Sequence, residues 1–289
     1  MRRDLAALAT YLAVSFGVAY AIDFLALIKA IELHRELEVL YLGVARMYAP
    51  FLGAVCAAIV SRAGLGALRR WGLRLGRARW IPLGIALPYT FYALAIPLAM
   101  AVGITVTNPI YSIPKLEYML TKIPNPSLIL ALALVNTVIA GCTINTAAAI
   151  GEEMGWRGYM LTTLSPKLGL YGAAVAIGIV WSLWHAPLIL LAGFNYPHHP
   201  NLEGLAAFTG FCVALSVACS VLRAKSGSIL PPAFLHGNLN ALGGIALLTF
   251  VGDEIYTFPA GLLGIASVSI VATALAIATR CRGLEDLER

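Results

Sequence analysis

Long apolar stretches separated by short polar segments dominate this chain of 289 residues. A helix needs about 20 largely apolar residues to cross a bilayer. Eight windows are long enough: residues 5–31, 39–61, 80–106, 128–161, 170–193, 204–222, 229–251 and 258–279. The pattern predicts an all-α polytopic membrane protein, a bundle of about eight transmembrane helices that forms a single integral-membrane domain over residues 1–289.

Composition supports the bilayer as the solvent. The chain is 60% hydrophobic and only 12% charged, whereas soluble domains carry about 25% charged residues. Five scattered cysteines form no CxxC pair, which indicates neither a thiolate metal site nor a disulfide framework. The formal net charge of +6 is compatible with nucleic acid or anionic lipid. Its distribution favours the lipid bilayer, and no nucleic-acid partner is expected.

The positions of lysine and arginine predict how the chain is oriented. With the N-terminus inside, fifteen of the 20 lysines and arginines fall in inner segments. Three fall in outer loops, namely Arg35, Lys115 and Lys122. The positive-inside rule therefore places both termini in the cytoplasm. The membrane is expected to be the cell membrane in a prokaryote and the endoplasmic reticulum in a eukaryote.

Charged residues interrupt the fourth window at Glu152, Glu153 and Arg157. A charged group near the bilayer centre costs roughly 2.5–3.5 kcal/mol even on the mildest scale, so each of these residues needs a reason to be there. Glu153 and Arg157 are four residues apart and are expected to pair on one helix face. Glu152 points about 100° away around the helix, so a structural pair of Glu153 and Arg157 leaves it unexplained.

Two further pairs repeat the four-residue spacing, Trp181 with His185 and His236 with Asn240. Taken singly, a membrane histidine or asparagine is often only a hydrogen-bonded packing residue. All three polar sites lie roughly 12–22 Å from the inner ends of their helices, at 1.5 Å per residue. We therefore predict that they form one polar cavity that opens to the cytoplasmic side, with residues 128–251 as the motif-bearing catalytic core.

The three motifs, in this order, resemble the CPBP family (CAAX proteases and bacteriocin-processing enzymes, also called ABI), and most closely its type II CAAX prenyl endopeptidases. The family pattern is Glu-Glu-x-x-x-Arg, then Phe-x-x-x-His, then His-x-x-x-Asn or Asp. The first motif matches completely, and His185, His236 and Asn240 match the other two. Trp181 stands where the family usually has Phe, and this change is expected to alter a pocket wall rather than the chemistry.

The resemblance implies an intramembrane endopeptidase that hydrolyses a peptide bond near the C-terminus of a prenylated or otherwise membrane-associated protein. The catalytic set that it implies is Glu152, Glu153, Arg157, His185, His236 and Asn240, with Trp181 in the substrate pocket. Glu152 would act as general base, and His185 would help to hold the attacking water. His236 and Asn240 would donate hydrogen bonds to the oxyanion. Glu153 and Arg157 would hold the helix, and Arg157 would also orient Glu152.

Three alternatives stay open at this point. No cofactor is expected for a glutamate-dependent peptidase, but a zinc metalloprotease would use Glu152, His185 and His236 as ligands, with water as the fourth. The motif HExxH is absent. Buried acids and histidines also mark ion pathways in transporters, although the chain shows no internal repeat. In a non-catalytic scaffold or immunity-type protein, a Glu152→Gln variant should retain function.

Overall fold

The computed structural model describes residues 2–64, 66–112, 118, 121–123 and 125–284, so Lys115 and Arg289 of the charge count lie outside it. Almost all regular structure is helical. The α-helices are α1 (Arg2–Ile22), α2 (Ile28–Glu32), α3 (Glu36–Met47), α4 (Ala49–Ser61), α5 (Gly66–Arg70), α6 (Ile81–Ala101), α7 (Pro126–Ala140), α8 (Thr146–Glu153), α9 (Leu161–Trp184), α10 (Ala186–Ala192), α11 (Leu202–Ser226), α12 (Leu230–Thr249) and α13 (Leu262–Thr279). π-helical segments continue three of these helices, over Asp23–Leu27, Gly141–Asn145 and Met154–Met160.

Six helical segments among the described residues are long and apolar enough to cross a membrane: Arg3–Glu32, Glu36–Ser61, Ala78–Ala101, Pro126–Trp184, Leu202–Ser226 and Leu262–Thr279. The chain is therefore an integral multi-pass membrane protein of the all-α class, as predicted. The fourth segment has 59 residues, about 88 Å of helix and about three times the hydrocarbon thickness. Gly169, with φ 68°, breaks it between the predicted windows 128–161 and 170–193.

The seventh predicted window, residues 229–251, corresponds to α12, which is not one of the six segments. At 20 residues it is long enough to span the bilayer. Its hydropathy is lowered by His236, Asn238 and Asn240. There are two fewer apolar segments than predicted windows, because windows 128–161 and 170–193 are joined in one segment and α12 is not included. These are the parts of the chain that carry the motifs.

Segments predicted on the same side of the membrane meet at the same end of the bundle. At one end, the Arg77 N–H donates to the Ser226 carbonyl at 2.7 Å, and these residues belong to two segments predicted inside. At the other end, β1 (Thr105–Val106) pairs antiparallel with β2 (Phe250–Val251), which joins the ends of α6 and α12 that are predicted outside. Both α6 and α12 therefore run from the first of these ends to the second, as predicted.

The core lies between tightly packed helices. The main pairs are α1 with α4, α9 with α11, α12 with α6, and α11 with α13. Small residues bring α8 against the junction of α3 and α4, because a Cβ atom on Gly151 would lie only 2.7 Å from the Met47 carbonyl oxygen. Gly155 approaches Pro50 in the same way. This close packing fixes the position of the helix that carries Glu152.

Candidate active site

The first motif lies where α8 ends with Glu152 and Glu153 and the π-helical segment Met154–Met160 begins. Such segments are frequent at functional sites. Arg157 Nη1 donates to Glu153 Oε1 at 2.9 Å, and both side chains are fully buried. The same Oε1 lies 3.1 Å from His236 Nδ1. Glu153 therefore connects Arg157 on its own helix with His236 on α12.

Glu152 has different neighbours from Glu153. Its Oε2 accepts hydrogen bonds from the indole N–H groups of Trp156, at 3.1 Å, and of Trp181, at 2.6 Å. Its Oε1 makes no hydrogen bond with the described residues and is not among the buried atoms that lack a partner. Glu152 also lines the central cavity. Two donors thus fix one oxygen of this carboxylate, and the other is open to the cavity.

Trp181 contributes more than a wall of the pocket. The phenylalanine that the family usually has at this position carries no N–H, whereas the Trp181 indole donates to Glu152. The Arg157 guanidinium lies 4.6 Å from the centre of the Trp181 ring, and the His236 ring is 5.1 Å away in an edge-on arrangement. The tryptophan therefore adds a hydrogen bond to the candidate base, Glu152. The sequence analysis predicted only a change in the wall of the pocket.

His185 lies between α9 and α10, and its Nδ1 is 3.0 Å from the Trp181 carbonyl oxygen. Because a carbonyl only accepts, Nδ1 carries the proton and Nε2 of the neutral ring is an acceptor. Three aromatic rings enclose the imidazole: Trp184 and Phe208 edge-on, at 4.8 and 4.9 Å, and Phe194 stacked at 6.3 Å. His185 also lines the cavity.

The two asparagines of the third motif region have different environments. Asn240 is exposed, lines the cavity and makes no side-chain hydrogen bond with the described residues. Asn238 is fully buried. Its Nδ2 donates to the Phe234 carbonyl at 2.8 Å, and its Oδ1 accepts from the Tyr89 hydroxyl at 3.1 Å. Asn240 is therefore available to a bound molecule, whereas Asn238 holds α12 against α6.

One cavity of about 380 Å³ brings the three motifs together. The predicted residues that line it are Glu152, Trp181, His185, His236 and Asn240. Glu153 and Arg157 lie behind its wall. Most of the remaining lining is apolar and includes Leu27, Ile31, Leu188, Phe208, Leu215 and Leu247. A small polar cluster therefore faces an otherwise hydrophobic chamber.

The cavity borders the end of the bundle that carries the loops predicted outside. Its lining includes Ile31, Asn195 and Pro259, and none of the described residues in the arginine-rich segment 62–80. An N-terminus inside the cell and a cavity that opens to the cytoplasm are therefore incompatible in this structure. The charge distribution favours the first, and the side of the membrane that the opening faces stays a prediction.

Charged side chains join two loops beside the cavity. The His198 backbone N–H donates to Glu254 Oε1 at 2.6 Å, and His199 Nε2 lies 2.8 Å from Asp253 Oδ2. The hydrogen bond with Asp253 raises the pKa of His199 above its usual value, because it favours the charged ring. Asn195 in the first of these loops also lines the cavity, so the contacts hold part of its rim.

The zinc alternative requires three donors at one point. The part of the chain that the structure describes contains no group of three or more His, Cys, Asp and Glu side chains placed to hold a metal ion. Glu152, His185 and His236 line the same cavity without forming such a group. His236 directs Nδ1 at Glu153, and Glu152 has one oxygen occupied by two indoles. These three side chains would have to move closer together to bind zinc.

Two residues at the site were not singled out from the sequence. Trp156 follows Glu152 by four residues, so the same helical spacing that marks the three motifs could have identified it. Arg46 lines the cavity from α3 and pairs with Asp23, with Nε 2.6 Å from Oδ1. Its signal in the sequence was a charge near the outer end of a predicted span, where charged residues are common.

Comparison with known proteins supports the resemblance. Residues 126–242 match the family model described as type II CAAX prenyl endopeptidase, Rce1-like. CAAX prenyl protease 2 of Methanococcus maripaludis is 50% identical over 44 residues, which are 15% of this chain and 16% of that relative. Over the segment that carries all three motifs, the chain therefore resembles the Rce1-like type II CAAX prenyl endopeptidases, as the order of its motifs predicted.

Proposed function

We propose that this protein is an intramembrane endopeptidase of the CAAX prenyl protease type, which cleaves near the C-terminus of a membrane-associated protein. The observation that carries the proposal is the Glu152 carboxylate. Two indole N–H groups hold one of its oxygens, and the other is open to the cavity shared with His185 and His236. The family match over residues 126–242 supports the same activity.

Glu152 is the proposed general base. Its open Oε1 takes a proton from a water molecule in the cavity, and the water oxygen attacks the carbonyl carbon of the scissile peptide bond. The proton then passes from Glu152 to the leaving amine nitrogen as the C–N bond breaks. The products are a carboxylic acid and an amine, and Glu152 is ionised again. The two indole donors keep the carboxylate in one position before the substrate arrives, which favours reaction.

The two histidines present different edges to the reaction. His185 has its Nδ1 engaged by a carbonyl, so its Nε2 can accept a hydrogen bond from the attacking water. His236 has its Nδ1 directed at the Glu153 carboxylate, and it is the proposed donor to the oxyanion through Nε2–H. Asn240 is the proposed second donor. Loss of one such donor typically lowers the rate about 100–1,000-fold.

Glu153 and Arg157 are proposed as positioning residues, because both lie behind the cavity wall. Glu153 orients the His236 ring through the 3.1 Å contact. Arg157 pairs with Glu153 and packs over Trp181, whose indole N–H donates to Glu152. The whole pair therefore supports the reacting groups without touching the substrate.

We propose that the reaction needs no metal. This interpretation is supported by the placement of Glu152, His185 and His236, which line one cavity without forming a group of donors that could hold a metal ion. A zinc enzyme would lose activity in the presence of a tight chelator and recover it with added zinc.

The proposed substrate is a prenylated protein or peptide, which is the kind of substrate that the name of the archaeal relative gives for that protein. Apolar side chains make up most of the cavity lining, so a hydrocarbon chain can be buried there while the scissile bond meets the polar cluster. The alternative substrate is an unprenylated membrane-associated peptide. Cleavage of peptides with and without the lipid separates the two.

The test measures cleavage of a farnesylated fluorogenic peptide with a C-terminal CAAX sequence by purified protein in liposomes. Glu152→Gln keeps the size of the side chain and removes the base, so kcat is expected to fall by about 100- to 10,000-fold. Glu36→Gln is the matched control, because Glu36 is exposed at the start of α3. It should cleave at the parent rate, and a zinc chelator should leave the parent unchanged.

Several results would contradict the proposal. Full activity of Glu152→Gln would remove Glu152 as the base. Loss of activity with chelator and its return with zinc would establish the metalloprotease instead. If the parent cleaves neither lipidated nor plain peptides while Glu152→Gln retains the biological function, a non-catalytic scaffold explains the protein better.

A further inference from the structure

Arg46 is a buried cation in the wall of the cavity, on a part of the chain that the three motifs do not cover. Its side chain is 3% exposed, and Asp23, its partner, is 0% exposed. Arg46 Nε donates to Asp23 Oδ1 at 2.6 Å, and Nη2 donates to the Trp184 carbonyl at 2.6 Å. The guanidinium also lies 3.6 Å from the centre of the Trp184 ring. Three contacts therefore fix the orientation of this guanidinium.

The remaining nitrogen, Nη1, makes no hydrogen bond with the described residues. It is not among the buried side-chain atoms without a partner, so it keeps accessible surface. Arg46 lines the same cavity as Glu152, His185 and Asn240. A rigidly held N–H donor with a positive charge is therefore directed at the space that the substrate would occupy.

A purely structural role explains only part of this arrangement. The Asp23–Arg46 pair ties the π-helical segment Asp23–Leu27 to α3, but well-packed apolar side chains commonly do this as well as a buried ion pair. The arginine is also bonded to the carbonyl of Trp184, the residue directly before His185. Its charge thus lies beside the histidine that faces the reacting groups, and a molecule bound in the cavity can accept a hydrogen bond from Nη1.

We infer that Arg46 binds the α-carboxylate at the C-terminus of the substrate. This inference rests on the proposed function and adds the group by which the enzyme recognises a chain end. Arginine binds carboxylates in a fixed geometry with charge-assisted hydrogen bonds. With the carboxylate at Arg46 and the scissile bond at Glu152, cleavage is restricted to a bond a short distance from the C-terminus.

The experiment compares two farnesylated peptides that differ only at the C-terminus, one a free acid and the other a carboxamide. Their binding is measured by fluorescence anisotropy on Glu152→Gln protein, which binds without turnover. The acid is expected to bind about 10- to 100-fold more tightly, which corresponds to the usual contribution of a hydrogen bond to a charged group. In the double variant Glu152→Gln/Arg46→Gln, the two peptides should bind equally.

Two further variants separate recognition from folding. Arg46→Lys keeps the charge and should retain part of the preference for the acid, whereas Asp23→Asn removes the partner but leaves Arg46 and should retain the preference. Equal binding of the two peptides to Glu152→Gln protein, or no binding of either, overturns the inference. So does a preference that survives Arg46→Gln. If the parent cleaves acid and amide with the same KM, the inference fails while the proposed function stands.

Discussion

Two buried ion pairs, Glu153–Arg157 and Asp23–Arg46, occupy different places in this bundle. The first joins residues four apart on one helical segment, and both side chains are completely enclosed. The second joins residues 23 apart in the sequence, on two different helical segments, and its arginine lines the cavity. Each guanidinium packs over an indole, Arg157 over Trp181 and Arg46 over Trp184.

The difference appears in the atoms that each pair leaves without a partner. Glu153 Oε2 and Arg157 Nε and Nη2 are buried without hydrogen bonds among the described residues. In the other pair the carboxylate atom Asp23 Oδ2 is in the same position, whereas Arg46 has no such atom. The Glu153–Arg157 pair is therefore sealed from the cavity and acts through its neighbours, His236 and Trp181. The Asp23–Arg46 pair keeps one N–H donor available to a ligand in the cavity. Burial of a charge thus indicates function less well than its position relative to a cavity.

The largest contrast is expected between labels at the two ends of the bundle, which show on which side of the membrane the Asp23–Arg46 pair lies. Leu202 and Leu75 are 75% and 62% exposed and lie at opposite ends of the bundle. In a background without native cysteines, an impermeant maleimide added to intact cells should label Leu202→Cys and not Leu75→Cys, because the charges predict an N-terminus inside. Both variants should be labelled after permeabilisation, as measured by the shift in mass.

The reverse labelling pattern would place the cavity and the Asp23–Arg46 pair on the cytoplasmic side. It would then be the charge-based orientation that requires correction.

The next largest effect is expected from breaking the sealed pair. Arg157→Met leaves the Glu153 carboxylate buried without its cation, which should lower the free energy of unfolding by about 3–5 kcal/mol. The double variant Glu153→Leu/Arg157→Met should lose less, because no charge is left unpaired. Arg46→Met should also lose less, because Arg46 borders the cavity and cavity water can replace part of its side chain beside Asp23. Equal losses for Arg157→Met and Arg46→Met, measured by denaturant titration in detergent, would contradict the distinction between sealed and open pairs.

The smallest effect is expected from the two stacked indoles. Trp181→Phe keeps a ring beneath Arg157 but removes the N–H bonded to Glu152, so kcat for the farnesylated peptide should fall about 10-fold. Trp184→Phe removes an N–H that donates to the Ser15 carbonyl at 3.0 Å, away from Glu152, and should leave kcat near the parent value. An equal decrease in both variants would indicate a general packing effect.

Contacts within one helix could be predicted from the sequence, and contacts between helices could not. The pair of Glu153 with Arg157 follows from the helical period and is confirmed at 2.9 Å. The contacts of Glu152 with Trp181 and of Glu153 with His236 join residues 29 and 83 apart. These depend on how each helix is rotated against its neighbours, and the π-helical segment after Glu153 changes that rotation without a marker in the sequence.

The depth of the polar residues predicted that the motifs would share one level, but it could not support the predicted opening to the cytoplasmic side. A count of residues from the end of a helix gives a distance along its axis. The opening depends instead on side chains such as Asn195 and Pro259, which come from loops with no motif. For the same reason, Arg46 could not be distinguished from the charges that commonly flank a membrane span.

The low hydropathy of α12 has a consequence for how the protein is made. A helix that carries His236, Asn238 and Asn240 is poorly suited to enter a bilayer alone. Its polar partners, Tyr89 and Glu153, belong to helices that precede it in the chain. Since a ribosome synthesises those helices first, the partners are already available when α12 emerges, so the order of synthesis matches the order in which the polar contacts are needed.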